Sequence, residues 1–269
     1  MSGLFDAHCH LDFDAFDEDR AAVLVRAEAA GVREIVIAGV DPDGSARARE
    51  VARAALGGVR VRACAGLHPW WVDRLDDDGL DAALARLRDE LTGEEAAIGE
   101  FGLDAASVSR GGSAARQERA LGAQLDLACA RGLPAVLHVV RCHDRLLELL
   151  RARDVLPRFL LHGWSGPEHL MPHLVALGGW FSFGPRVTRD GHAKLKRSLR
   201  WVASEHPGRW LIETDAPDAG LSPGARGEPG DLAAVAAAVA VALCRDEASV
   251  GDVTSRNAET FYSDGAAWH

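Results

Sequence analysis

The sequence predicts an α/β fold, a single (β/α)8 TIM barrel with a metal site at the C-terminal face of its strands. Three observations predict it. Eight short β-rich apolar runs alternate with longer helical patterns from end to end. No glycine-rich phosphate loop follows the first run, where an open doubly wound sheet would place one; that position holds His8-Cys9-His10. The chain has 269 residues, and barrels of this kind need about 250.

The predicted strands are 4–10, 33–39, 61–68, 96–104, 134–139, 158–164, 178–185 and 209–215. Residues between them show the 3.6-residue apolar spacing of helices. In 116–132, for example, Leu121, Leu125 and Ala128 share one face. Gly31, Gly132 and Gly178 stand just before strands, where a helix ends on a left-handed residue. Strand–helix alternation implies parallel strands joined by right-handed crossovers. The longest loop is expected at 218–230, followed by a closing helix over 232–243 and a further segment at 248–262. No linker divides the chain, so residues 1–269 are expected to form one domain.

Composition narrows the function. The net charge of −10 argues against a broad duplex-gripping surface. No run of about 18 apolar residues occurs, so no membrane span is expected, and the N-terminus lacks the pattern of a signal peptide. Five cysteines without a CxxC pair are reduced-compartment usage, which points to the cytoplasm. No obligatory protein partner is evident.

The chemistry lies in where His, Asp and Glu fall. Strand one ends on His8 and His10, strand three on His68, strand four on Glu100 and Asp104, strand five on His138, strand six on His162, and strand eight on Glu213 and Asp215. In a barrel these ends converge on the face that carries active sites. His8, His10 and Asp215 suit one ion, His138 and His162 a second, and Glu100 can bridge both. Imidazole and carboxylate ligands suit Zn²⁺, Mn²⁺ or Fe²⁺, with Mg²⁺ tolerating fewer imidazoles. A carboxylated lysine bridge is excluded, because the two lysines, Lys194 and Lys196, both fall in one predicted helix. Each residue alone has an ordinary structural reading; the joint pattern over five strand ends does not.

The stretches FDAHCHLD (5–12), AGLHPW (65–70), AIGEFGLD (97–104), LHVVRCHD (137–144), LHGWSG (161–166) and ETDAP (213–217) resemble the TatD-related family of metal-dependent hydrolases, in the family's order. The resemblance implies a barrel, two divalent cations (Zn, Mn or Mg) and hydrolysis, commonly of DNA at strand ends. It carries over the same ligands: His8, His10, Glu100, His138, His162 and Asp215. It also implies that His68, before Pro69, contacts the scissile group. Departures fall on the substrate side: Ala105 follows GLD, Val139-Val140-Arg141 follows His138, and Gly163-Trp164 follows His162.

The expected reaction is attack of a metal-held hydroxide on a phosphodiester, with Glu100, Asp215 and His68 as the catalytic groups. Asp215 would act as base, and Glu213 would orient it from behind. Arg141, Trp164, Arg186 and Arg189 are the candidate substrate-binding residues. Arg186 and Arg189 belong to a basic cluster with His192, Lys194, Lys196, Arg197 and Arg200 after strand seven, a place where barrels hold phosphate. Trp70, Trp71 and Trp164 fall near strand-end loops, where they would either stack on a base or cover the barrel rim. The expected substrate is a nucleic-acid strand end or a small phosphodiester. The alternatives are ester or amide hydrolysis at the same site, and a non-catalytic binding module that would have lost ligands.

Overall fold

A computed structural model of the chain describes residues 3–55, 57–222 and 224–263. Eight parallel strands are present: β1 (Leu4–Cys9), β2 (Val32–Ile37), β3 (Arg60–Ala63), β4 (Ile98–Asp104), β5 (Ala135–Val140), β6 (Phe159–Leu161), β7 (Gly179–Phe183) and β8 (Trp210–Ile212). The helices are α1 (Arg20–Ala29), α2 (Pro42–Ala54), α3 (Pro69–Val72), α4 (Asp77–Glu90), α5 (Ala105–Val108), α6 (Ala114–Arg131), α7 (His143–Arg151), α8 (Met171–Ala176), α9 (Ala193–Glu205), α10 (Leu232–Leu243) and α11 (Glu247–Phe261). None is long and apolar enough to cross a membrane.

The strands pair in sequence order as two parallel sheets, β1-β2-β3 and β4-β5-β6-β7-β8. Between the sheets, an isolated parallel bridge joins Ala65 to Ile98, and Gly99 N–H donates to Ala65 O at 2.9 Å. At the other seam, Asp215 N–H donates to His8 O (2.9 Å) and His10 N–H to Ala216 O (2.7 Å). Asp6 reinforces that seam by accepting from Thr214 N (2.9 Å) and Thr214 Oγ1 (2.5 Å).

Apolar side chains divide by direction. Phe5, Ala7, Val36, Cys64, Ala97, Val136, Leu160, Trp180 and Leu211 meet in one cluster with Phe261 and Tyr262 of α11 and the residue after it. All eight strands, or the residues beside them, contribute. The opposite faces, among them Ile35, Phe101, Leu137, Phe159, Phe181 and Ile212, pack against the helices. This is the alternation of a sheet buried on both sides.

Two irregularities place the polar residues. Phe5 and Ala7 point into the shared cluster, so strict alternation would send Cys9 after them and turn His8 and His10 away. The β1–β2 register breaks between Asp6 and Cys9, Cys9 joins the helix-facing cluster, and the two histidines stand at the end of the strand interior. Such breaks re-aim side chains. In β4 the register breaks between Ile98 and Phe101. There Gly99 has φ +139°, and a Cβ would come within 2.6 Å of Val136 O; only glycine permits that approach.

The strands are shorter than the sequence runs. His68, His162, Glu213 and Asp215 lie just past the ends of β3, β6 and β8. The helix ends are as expected: Gly132 caps α6 with φ +65°, and Gly31 and Gly178 also have positive φ. The loop at 218–230 is long, as expected, and the closing helix is α10. Arg226 pairs with Asp19 and Glu228 to tie that loop to α1.

Candidate metal centre

Glu100 sits in the middle of the converging strand ends, fully enclosed. Its two oxygens face different partners. Oε2 lies 3.3 Å from His8 Nε2 and 3.4 Å from His10 Nε2. Oε1 lies 2.7 Å from both His138 Nδ1 and His162 Nε2. Asp215 Oδ1 completes the first group, 3.7 Å from His8 Nε2 and 3.5 Å from His10 Nε2. The positive φ of Asp215, +53°, lets the chain turn its carboxylate back over β1.

These spacings test whether the residues fit a metal. Ligand atoms about 2.0–2.2 Å from a tetrahedral ion lie about 3.3–3.6 Å apart, and the four imidazole–carboxylate edges among the six of the His8–His10–Asp215–Glu100 group measure 3.3 to 3.7 Å. His8 Nε2 is buried in that group without a hydrogen-bond partner. The residues therefore fit a divalent cation there. In the second group the imidazoles are closer, at hydrogen-bond length from Glu100 Oε1, with 3.3 Å between His138 Nδ1 and His162 Nε2.

The electrostatics agree with a site built for positive charge. Burial alone would raise the pKa of Glu100; the imidazoles of His162, His68 and His8 outweigh it and hold the carboxyl well below its ordinary value. Burial likewise opposes charge on His162 and His10. Glu100 and Glu213 nevertheless raise His162 well above its ordinary value, and Asp215 with Glu100 raises His10 to about 9. A divalent cation would take the place of those protons.

His68 differs from the other histidines. As the N-cap of α3 its Nδ1 accepts from Trp70 N–H at 3.1 Å, so its proton is on Nε2. That nitrogen points at Glu100 Oε1 from 3.3 Å. Burial lowers the His68 pKa to about 4, leaving a neutral ring. With its lone pair engaged on Trp70 N–H, a neutral imidazole offers a hydrogen-bond donor to this cluster, although His68, Glu100 and His138 also lie close enough together to hold an ion.

Two carboxylates brace the second group. Asp104 Oδ2 lies 3.5 Å from His138 Nε2 and accepts from Trp70 Nε1 at 2.5 Å. Glu213 Oε1 lies 3.6 Å from His162 Nδ1, and the Ser182 hydroxyl donates to its other oxygen. Metal-ligating histidines commonly carry such partners on the far nitrogen. This corrects the reading of Glu213, whose partners are His162 and Ser182 and not Asp215. Asp104 is a residue to which sequence reasoning gave no role, although its place at the end of strand four was legible. Ser182, inside an apolar strand, gave no signal.

The expected substrate-side residues separate. Arg141 and Arg186 line a cavity of about 640 Å³ beside His138, His162 and Asp215. Arg186 also donates to Gly163 O at 2.6 Å; Arg189 lies off that cavity and donates to Gly220 O at 2.7 Å. Trp164 is 2 % exposed, packed edge-on against His143 and Phe181. Its ring is packed against β7 and contributes only an edge to the outer cavity with Arg186 and Lys194. Trp70, at 47 % exposed, keeps a free face. In the basic cluster, Lys194 and Arg197 line a further cavity with Arg186, whereas Arg200 donates to Ala242 O on α10.

Residues 5–263 match the TatD related DNase family. The chain belongs to that family. It is 32% identical over 224 residues to the "Uncharacterized metal-dependent hydrolase YjjV" of Escherichia coli K12, covering 83% of each chain. It is 31% identical over 271 residues to the "3'-5' ssDNA/RNA exonuclease TatD" of Citrobacter koseri, covering 96% of this chain and 98% of that protein. The crystal structure of the E. coli YjjV TatD homologue superposes with a TM-score of 0.83 at 30% identity, over 96% of this chain and 97% of that one. A TatD-family hydrolase from Entamoeba histolytica, 19% identical, shares the fold with a TM-score of 0.84. The chain is thus a TatD-family metal-dependent hydrolase.

The bracing carboxylate gives a first prediction. Asp104→Asn keeps the shape but removes the negative charge behind His138. Mn²⁺ affinity on the His138 side of Glu100 is expected to fall about 10- to 100-fold, the usual cost of losing such a partner. Titration of metal-free protein checks this, and unchanged affinity would contradict the assignment.

Proposed function

We propose that this TatD-family hydrolase is a phosphodiesterase that trims the ends of single-stranded nucleic acid with two divalent cations, Zn, Mn or Mg, astride Glu100. The observation that carries the proposal is the division of the Glu100 carboxylate, one oxygen toward His8 and His10 and the other toward His138 and His162. His8, His10, Asp215 and Glu100 would hold one ion; Glu100, His138 and His162 the other. The curated name of the C. koseri relative supports the substrate class. The scaffold reading is one (β/α)8 barrel and one domain over 1–269, supported by the shared interior of all eight strands and the hydrogen bonds at both seams. Residues 1, 2, 56, 223 and 264–269 of that domain lie outside the described residues. Free thiols at all five cysteines support the cytoplasm as its location.

When bound, the cations would polarise the phosphoryl group and lower the pKa of water to near neutrality. The chain's own residues do the rest. Asp215, partly exposed above β1, has its second oxygen available to take the proton of the attacking water. His68 donates from Nε2 to an oxygen of the scissile group or to Glu100, and its neutral state keeps that donor in place at ordinary pH. Arg141 and Arg186 line the cavity over the cluster and would hold non-bridging oxygens. Those guanidinium groups favour a phosphoryl substrate over an ester or amide. Membership of a family of metal-dependent hydrolases weighs against the binding-module reading.

The test is cleavage of end-labelled single- and double-stranded oligonucleotides by protein stripped with a chelator and reloaded. Activity should vanish on stripping, return with Mn²⁺, Zn²⁺ or Mg²⁺, and start from a strand end. Internal cutting of duplex, or inactivity on every oligonucleotide alongside turnover of carboxylic esters or amides, would overturn the proposal.

A further inference from the structure

Three cavities form a continuous series across the strand ends. The first, about 300 Å³, contains the cluster itself and is walled by Phe13, Trp70, Trp71 and Arg74. The second, about 640 Å³, shares His138, His162 and Asp215 with the first. The third, about 1020 Å³, shares Ser165, Pro167 and Arg186 with the second and runs out along the start of α9.

Their chemistry changes along the series. The first carries Asp41, Glu100, Asp215 and Asp218 against Arg74, with three aromatic rings. Its acidic groups suit two cations and one scissile phosphate, and its rings suit one base. Its volume is at the lower end of small-ligand pockets. The third carries Arg186, Lys194 and Arg197 against the single carboxylate of Glu168. Lys194 and Arg197 are exposed and one helical turn apart on α9, so their Cβ atoms are about 5–6 Å apart on the same face. On a chain of net charge −10, this is where a polyanion would be held.

We propose that the substrate strand is bound asymmetrically: one terminal nucleotide in the aromatic pocket beside Trp70 and Trp71, and the retained strand along Arg186, Lys194 and Arg197. This rests on the nuclease reading above and adds its polarity. Release is one nucleotide at a time because the aromatic side has room for one. Affinity grows with length because the basic side extends well beyond the scissile bond. Glu168, 3.7 Å from Arg197, gives way to a phosphate when the strand enters.

Thymidine oligonucleotides of two to eight residues test this, using metal-loaded wild type, the double variant Lys194→Ala/Arg197→Ala, and a charge-matched control, Arg88→Ala/Arg151→Ala. The wild type and control are expected to gain at least tenfold in kcat/KM from dimer to hexamer and to release only mononucleotides. The Lys194/Arg197 variant should match the wild type on the dimer and lose that gain. Its log–log salt slope on the hexamer should be shallower by about 1.4, two phosphates at about 0.7 each. A variant that loses equally on dimer and hexamer, or on neither, overturns the proposal, as does release of dinucleotides. If loaded wild type cleaves none of these strands, the nuclease reading fails. Fluorescence anisotropy of labelled dimer and hexamer then still decides the track: equal hexamer affinity for wild type and variant overturns it.

Discussion

Glu100→Gln is expected to cost the enzyme both metal ions and at least about three orders of magnitude in kcat/KM. The glutamine has nearly the same shape, so packing around it is kept. Its amide nitrogen cannot ligate, and one neutral oxygen cannot serve both His8–His10 and His138–His162, which lie on opposite oxygens in the wild type. Electrostatic stabilisation by the ions is worth several kcal/mol, and each 1.36 kcal/mol is about tenfold in rate. Metal analysis and steady-state kinetics check this together, with circular dichroism to show that the fold persists. Retention of one ion at full affinity would mean that Glu100 serves a single ion.

Asp215→Asn is expected to behave differently. Its side-chain oxygen still faces His8 and His10, so at saturating Mn²⁺ the protein should keep close to two ions. The proton acceptor is gone, and kcat should fall by about 10²–10⁴-fold, the usual contribution of a positioned base. KM should change little, because Arg141 and Arg186, which would bind the phosphate, are untouched. A fall of less than tenfold in kcat at full metal loading would move the base to another residue.

The contrast between these variants follows from positions that the sequence only partly discloses. The residues that gather around Glu100 were legible because each stands at the end of an apolar run, and eight such runs in alternation with helices have few ways to pack. The in-phase pairs, His8 with His10 and Glu213 with Asp215, were legible from alternation, and Thr214 does turn the other way, onto Asp6. Which way each pair faces was not. Continuing the alternation of Phe5 and Ala7 would turn His8 outward, and the register break in β1 reverses it. That break depends on how β1 meets β2 and β8, which no local pattern records.

Partners across the site were hidden for the same reason. Glu213 is two residues from Asp215, and sequence proximity suggested that it serves that residue. The turn after β8 aims it at His162 and Ser182 instead. Trp164 and Trp70 look alike as rim tryptophans. One is sealed between His143 and Phe181, and the other keeps half its surface. Arg186 and Arg189 are three apart in one basic stretch and both donate to a backbone carbonyl, Arg186 to Gly163 and Arg189 to Gly220, yet only Arg186 lines the cavity beside the cluster.

The central claim is that one carboxylate, Glu100, lies between two cations. The direct measurement is anomalous diffraction at the manganese edge from crystals of the Mn²⁺-loaded protein. Two peaks are expected, roughly 3.5–4 Å apart, one within bonding distance of His8, His10 and Asp215, the other of His138 and His162, with one Glu100 oxygen on each. A single peak, or a second ion held by His68 in place of His162, would contradict it.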